Sequence, residues 1–354
     1  MKTVSLDVHT EASQLTVVSA EGEVLLEMKV ATNAEELRRV VGAIAGPKRV
    51  VFEEGPLSAM LHEALAPLAE EVISCDPSHN ALIALAEDSN DERDARRLAT
   101  LARLGAVRPV YAPDASHRRL RSLLRHDRSL GESMTGTKNR IKALARRQGL
   151  RCRGASVYQS AGRAEALGRL SDAAARWQMQ SLYRQLDALR RERVGAHRVI
   201  EKAGRPFRAL LSRLTTIPGV GPVTARTLVA WLADPGRFRS WQALNAYAGL
   251  GLGQGWTNWQ PTGRARASRR GNREVKRVLF IAAEAAIRGD NALARRYQAR
   301  RACGWDPSKA IRDTARTLLK IVEALWRKKS RYDDSQVRVP TVTPDPVRRT
   351  KARA

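Results

Sequence analysis

Three β-rich runs stand within the first thirty residues, and the chain after them alternates helix with strand. Lys2–Val8 sets Val4, Leu6 and Val8 on one side of an extended segment. Leu15–Ala20 and Glu23–Val30 form two further runs around the turn Ala20-Glu21-Gly22-Glu23. Asn33 then caps a helix to about Ile44, with Glu35 and Glu36 in its first turn. Arg49–Phe52 reads as a short buried strand ended by Gly55-Pro56, Leu57–Leu68 as a helix, and Val72–Cys75 as a fifth strand before Asp76-Pro77. An antiparallel meander leading into βαβ units restricts this region to a mixed sheet with helices against it.

That element order is the order of a ribonuclease-H-like fold, and it distributes acidic residues in a telling way. Asp7 lies on the first, central strand. Glu53 lies at the C-terminal end of the fourth, where open α/β sheets carry their sites, although its neighbour Glu54 competes for the inward position. Asp91 and Asp94 stand three apart in Asn90-Asp91-Glu92-Arg93-Asp94-Ala95-Arg96-Arg97-Leu98-Ala99, on one face of a helix whose Ala95, Leu98 and Ala102 form the apolar stripe. Carboxylates so placed repel unless a cation lies between them, and Mg²⁺ is held through such oxygen ligands together with substrate phosphates. Two ions about 3.5–4 Å apart are the arrangement that serves phosphodiester chemistry. The plainer alternatives are a strand-end acid at the surface for Asp7 and a solvated acidic helix start for Asp91 and Asp94.

Charge divides the chain. Of its 354 residues the first 112 carry 11 Lys+Arg against 18 Asp+Glu, while the rest carry 52 against 18. A strongly basic remainder calls for a polyanionic partner. Cys75, Cys152 and Cys303 are too far apart for a zinc ribbon or a disulfide framework and fit a reducing, cytoplasmic setting. No signal-like start and no 18-residue apolar run is present, so a membrane-spanning protein is not expected.

From Asp114 to Gly204 the chain reads as basic amphipathic helices, with Leu120, Leu123, Leu124, Leu130 and then Met179, Leu182, Leu186, Leu189 at helical spacing, broken between Arg151 and Gly168. They form either an antiparallel pair or a partner-binding coiled coil, with a nucleic-acid face. Leu214–Ala225 reads as a helix-hairpin-helix. Pro218 ends one helix, Gly219 and Gly221 allow a tight turn, and the helix entered through Thr224 offers backbone N–H groups to a phosphate or merely packs. Trp241–Leu250 is a short helix ended by Gly249. Gly251–Gly263 reads as a loop with Trp256, Thr257, Trp259 and Thr262, followed by Arg264, Arg266, Arg269, Arg270 and Arg273 as phosphate ligands. Helices are expected over Val275–Ile287 and Ser308–Trp326, and a disordered basic tail from Ser330.

With these pieces placed, the chain resembles the IS110 family of insertion-sequence transposases, DEDD recombinases regarded as guided by a structured bridge RNA. The resemblance runs from about Val4 to Lys328. It rests on Ser5-Leu6-Asp7, Phe52-Glu53-Glu54-Gly55-Pro56, the Asn90–Ala99 block, the Leu214–Ala225 block, Ala246-Tyr247-Ala248-Gly249-Leu250 and Ser268-Arg269-Arg270-Gly271-Asn272. It favours Glu53 over Glu54 and implies a RuvC-like catalytic domain at 1–112, a basic helical region at 113–208, a transposase domain at 209–330 and a tail at 331–354. It further implies that Asp7, Glu53, Asp91 and Asp94 hold Mg²⁺ (with Mn²⁺ as substitute), that DNA ends and a guide RNA are partners, and that the chain acts as a homo-oligomer, dimer or tetramer, near the nucleoid. One departure stands out. The family's loop serine, held to attack DNA covalently, is missing from Gly251–Ala267, and Thr257 takes its place. A threonine hydroxyl serves as a nucleophile when activated, with more restricted rotamers. Thr257 is thus either a working substitute or the mark of a weakened copy. A hydrolytic enzyme of the Holliday-junction-resolvase kind, or an inactive nucleic-acid-binding descendant, are the competing readings.

Overall fold

The computed structural model describes residues 1–76, 91–151, 154–257, 260–268 and 270–341 (for 252–257 and 260–267, the backbone). Two compact units divide the chain, Met1–Asp114 and Ala115–Ala354.

In the first unit, β1 (Lys2–Asp7), β2 (Ala12–Val18), β3 (Val24–Ala31), β4 (Lys48–Glu53) and β5 (Glu71–Cys75) form a sheet of order β3-β2-β1-β4-β5. The first three strands pair antiparallel, and β4 and β5 are added in parallel. Helices α1 (Ala34–Ala43) and α2 (Ser58–Leu65) follow β3 and β4. Asn33 Oδ1 accepts the Glu36 N–H at 2.9 Å, the cap its position implies. Alternation along the strands fixes the layers. Val4, Leu6, Leu15, Val17, Val50 and Phe52 are buried with Leu37, Val40 and Val41 of α1 and Leu61 and Leu65 of α2. Pro67 shortens the helix expected to reach Leu68, since it has no N–H to give, and Ala66–Leu68 continues as a 3₁₀ turn.

The sheet residues of opposite parity meet α3 (Asp91–Arg103). Val51, Ile73 and Cys75 pack with Leu98 and Ala102. Ala95, Ala99 and Ala102 are small enough to bring the helix close, and Ser5 Oγ donates to the Ala95 carbonyl at 2.6 Å. Arg96 clasps Glu27 of β3 through two hydrogen bonds, and Arg49 reaches both Glu71 and the Ala102 carbonyl. The start of α3 is therefore held beside the C-terminal end of β1.

The second unit opens with α4 (Ala115–Arg147), followed by α5 (Ser160–Gly168) and α6 (Ala173–Ala203). At about 1.5 Å per residue, the 33 residues of α4 extend about 50 Å. Leu120 shares a core with Ile200, Asp127 meets Arg193, and Ile141 packs with Met179 and Leu186, so α4 and α6 run antiparallel. Asp127, only 5% exposed, accepts a hydrogen bond from Arg193 Nε at 2.9 Å, and His197 Nε2 lies 2.9 Å from the same carboxylate oxygen. α5 is pinned to α6 by Arg163, whose guanidinium donates to both oxygens of Asp187 at 2.6 Å. These bonds hold the Asp187 carboxyl below the usual carboxylate range. A depressed folded-state pKa contributes stability above the ordinary carboxylate range, and this is lost as pH falls through the depressed value. Asp187→Asn is accordingly expected to cost about 1 kcal/mol at pH 7, small because the pair is partly solvent-screened. In urea melts its difference from the parent should narrow in acid; a difference that persists unchanged would refute the charge-based account.

Next come α7 (Arg208–Leu214), α8 (Pro222–Leu232), α9 (Trp241–Tyr247), β6 (Leu252–Thr257), β7 (Gln260–Ala267), α10 (Arg273–Ala286), α11 (Ala292–Ala302) and α12 (Pro307–Lys328). Leu120 and Leu124 of α4 and Ile200 of α6 join Leu214, Leu228, Trp231, Val278, Leu279, Leu318 and Val322 in one core, so the helical pair and the later helices form a single unit across position 208. Two expectations are corrected. Residues 252–257 and 260–267 pair as two antiparallel strands in place of a loop, with Leu252 opposite Ala267 and Thr257 opposite Gln260. The glycines had masked their alternation. The chain after Ser330 is anchored as far as the described residues go: Tyr332 N–H donates to Thr216 Oγ1 at 2.9 Å, and Asp334 accepts the Ala292 N–H at the start of α11 at 2.7 Å. The expected tail beyond residue 341 lies outside the described residues.

Candidate functional site

Asp7 ends β1, and Asp91 opens α3. Between them stands His9, two residues past Asp7 on the same extended stretch. Its Nε2 lies 3.1 Å from Asp7 Oδ2 and 3.5 Å from Asp91 Oδ1. One donor atom from each of the three residues lies within 4.8 Å of the others, the only such group among the described residues. Ligands held 2.0–2.5 Å from a common ion stand no more than about 4–5 Å apart, so this spacing fits a divalent cation. Asp7 is the least exposed of the three at 29%. Burial pushes its carboxyl up from the ordinary range, His9 pulls it down, and Asp91 and Asp94 push it up again. Such crowding of carboxylates is relieved by a bound cation.

Asp94 and Glu53 stand outside that tight group. Asp94 is near enough to act on Asp7 and is contacted by Arg97 at 3.4 Å. Glu53 follows Phe52, which pairs with Leu6, so Glu53 and Asp7 end adjacent parallel strands at one level. Glu53 is opposite Cys75, which packs on α3, and therefore shares the α3 side of the sheet. Glu53 is half-buried, whereas Glu54 lies past the strand and is exposed. Sequence reasoning missed His9. The available signal was its i+2 spacing from a strand-end aspartate, which turns both side chains to one side.

In the second unit, the hairpin that carries Thr257, Arg264 and Arg266 stands on a rigid base. Ser268 N–H donates to the Gly251 carbonyl at 3.0 Å, and Asn272 N–H to the Tyr247 carbonyl at 2.6 Å. Asn272 Oδ1 also caps α10 by accepting from Glu274 and Val275, while its Nδ2 reaches Tyr247 OH at 3.1 Å. Gly271, at φ +100°, lies against Gly249; a Cβ there would stand 2.6 Å from the Gly249 Cα. The two short blocks noted in the sequence, Ala246–Leu250 and Ser268–Asn272, are thus one backbone-to-backbone contact that closes the foot of the hairpin. Arg270 and Arg273 beside it are exposed, and Arg269 lies outside the described residues.

Among the residues expected to meet nucleic acid, the turn between α7 and α8 divides. Gly219 adopts φ +81°, and a Cβ there would fall 2.1 Å from the Ala282 carbonyl oxygen of α10, so its role is packing. Gly221 has open space around it, and no side chain caps the N-terminus of α8. Thr224 is corrected: it is 7% exposed, turned into the core by a helix buried along nearly its whole length.

Two family models match the chain. That for the DEDD transposases of the IS110 group covers residues 4–147, and that described as the IS116/IS110/IS902 transposase family covers residues 211–298. Among curated proteins, "Insertion element IS110 uncharacterized 43.6 kDa protein" of Streptomyces coelicolor is 32% identical over 120 residues, 34% of this chain and 29% of that protein. "Putative transposase y4qE" of Sinorhizobium fredii is 25% identical over 291 residues, 78% of this chain and 69% of that protein. The chain thus matches under a third of the first relative's length and about two thirds of the second's. Among the described residues, no helix is long and apolar enough to cross a membrane.

Proposed function

The chain belongs to the IS110 family of insertion-sequence transposases, and from that premise we propose that it is a recombinase that cuts and rejoins DNA strands at a divalent-metal site. The observation that carries this reading is the meeting of Asp7, His9 and Asp91 at one end of the sheet, with Asp94 acting on Asp7 and Glu53 at the same strand level. The sheet order β3-β2-β1-β4-β5 supports the ribonuclease-H-like, RuvC-like assignment. Asp7, Glu53, Asp91 and Asp94 would hold Mg²⁺, with room in the scheme for two ions. His9 adds a nitrogen donor that suits Mn²⁺ as well. When bound, the metal supplies Lewis-acid polarisation of a phosphodiester oxygen. The chain's own carboxylates position it, and their crowding around Asp7 favours the loaded site.

Thr257, at the end of β6, is the proposed nucleophile. Its Oγ forms a bond to phosphorus, the bond from phosphorus to the departing sugar oxygen breaks, and the hydroxyl proton ends on that leaving oxygen by way of solvent. Attack by a second strand's hydroxyl reverses the step and frees Thr257. The clamped foot of the hairpin supports this role, because a nucleophile needs a rigid support. Gly221 with the uncapped start of α8, read as a helix-hairpin-helix, and Arg264, Arg266, Arg269, Arg270 and Arg273 would hold DNA phosphates. A structured guide RNA and a homo-oligomer complete the proposal.

Trapping tests the covalent step. With end-labelled donor DNA, metal and the RNA encoded beside the gene, the parent protein is expected to carry label through denaturation. Thr257→Ser should retain the adduct, and Thr257→Ala should lose it by a factor of a hundred or more. An adduct that survives in Thr257→Ala would end the nucleophile assignment. Free nicked ends with no adduct from the parent would favour metal-dependent hydrolysis, the reading that the missing serine at 251–267 keeps in view.

A further inference from the structure

On the second unit, a cavity of about 610 Å³ opens where the end of α6 meets α7 and the start of α8. Five cationic side chains line it: Arg198 and Lys202 of α6, Arg205 of the turn that follows, Arg208 of α7 and Arg226 of α8. Glu201 is the one carboxylate among its lining residues. Arg198 and Lys202 are four residues apart and so share a helix face. Among the described residues none of the five makes a side-chain ion pair. Several arginines elsewhere in this unit are matched, as Arg163 is by Asp187, Arg193 by Asp127 and Arg296 by Asp313.

Five like charges gathered at one concavity with a single carboxylate among them repel, and an anionic ligand relieves the repulsion. The arrangement also says what kind of anion. Arg198, Lys202, Arg205 and Arg208 are exposed, and they are spread over three consecutive elements around an open cleft. That suits a row of phosphates along a backbone better than a single enclosed phosphate. Guanidinium groups grip phosphate oxygens bidentately, and the α8 N-terminus, which no side chain caps, lies at the same wall through Pro222. We propose that this cleft seats the phosphodiester backbone of duplex DNA, as a contact additional to the hairpin arginines. The proposal rests on the reading that the chain acts on DNA. The contact is independent of base sequence, since phosphates position a protein without specifying bases.

The test uses the full chain and a 30-base-pair duplex of arbitrary sequence, with anisotropy measured across a salt series. Each phosphate contact contributes about 0.9 to the slope of log affinity against log salt. Arg205→Gln/Arg208→Gln is expected to lower that slope by about 2 and to weaken binding about tenfold or more at low salt. Arg184→Gln/Arg191→Gln removes the same charge from exposed positions of α6 outside the cleft and should leave the slope in place. An equal drop in both variants assigns the effect to net charge and overturns the cleft. An unchanged slope in the cleft variant overturns it as well. An RNA hairpin run alongside separates the sources: loss confined to RNA would overturn the DNA assignment. As a measurement free of substitutions, duplex should shield Lys202 from acetylation in the parent protein, and an unshielded Lys202 counts against the proposal. Failure of the parent protein to bind any duplex would instead fail the DNA reading itself.

Discussion

Asp7→Asn should reduce metal-dependent strand cleavage at least a thousandfold, equivalent to about 4 kcal/mol of transition-state stabilisation. The substitution keeps the shape of the side chain and removes the charge at the centre of the cluster. Asp7 is the point at which His9 on one side and Asp91 and Asp94 on the other act together, and burial already raises the cost of its charge. Take that charge away, and the remaining acids have neither a shared focus nor enough charge to draw in a divalent cation. His9→Ala should behave differently. It leaves every carboxylate in place and removes the nitrogen donor, so cleavage with Mg²⁺ should fall modestly while any advantage of Mn²⁺ over Mg²⁺ disappears. Glu92→Gln is the control: Glu92 shares the first turn of α3 with Asp91 and Asp94, is exposed, and is no member of the close group. Single-turnover cleavage of labelled donor DNA, together with Mn²⁺ binding followed by electron paramagnetic resonance, measures all three. An Asp7→Asn protein that cleaves at the parent rate would remove the metal site from its proposed place.

The course of the first unit was readable because its strands alternate. Val4 and Leu6, and likewise Val50 and Phe52, declare a buried face, and Asn33 announces the helix that covers it. The paired aspartates were readable because helical spacing puts Asp91 and Asp94 together above the Ala95–Leu98–Ala102 stripe. His9 was not, since a histidine just past a strand signals nothing until the fold brings α3 to it from more than eighty residues away. The pairing of 252–257 with 260–267 was hidden for a different reason: glycines and arginines at alternate positions leave no apolar period, and pairing had to come from the foot that Gly249, Gly271 and Asn272 build. Asp127 was invisible inside a basic helix, because its partners Arg193 and His197 lie on another helix nearly seventy residues on. Thr224 was misread because the glycine-rich turn suggested a phosphate contact. The run Ala225–Leu232 behind it, apolar but for Arg226 and Thr227, already announced a buried helix.

The same turn yields the largest expected effect on folding. Gly219→Ala should destabilise the second unit by about 2–5 kcal/mol. The left-handed backbone at φ +81° costs a side chain about 1–2 kcal/mol. The added Cβ would also stand 2.1 Å from the Ala282 carbonyl oxygen and 2.8 Å from the Ala286 nitrogen. Both are backbone atoms of α10, so no flexible side chain can give way. The helix itself must move, and α10 supplies Val275, Val278, Leu279, Ala282, Ala283 and Ala286 to the core, so displacement there spreads at a cost of another 1–3 kcal/mol or so. At about 2–4 °C per kcal/mol for a unit of this size, the melting temperature should drop by about 10 °C. Gly221→Ala, two residues on, offers the contrast. Its φ is −81° and nothing lies within 4 Å of the position, so its melting temperature should stay within about a degree of the parent's. A hairpin whose glycines served phosphate approach alone would lose DNA binding in both variants and stability in neither. Packing at Gly219 with approach at Gly221 predicts a split, stability lost in the first and DNA affinity in the second. Thermal melts by circular dichroism and duplex binding on the same two proteins decide between them.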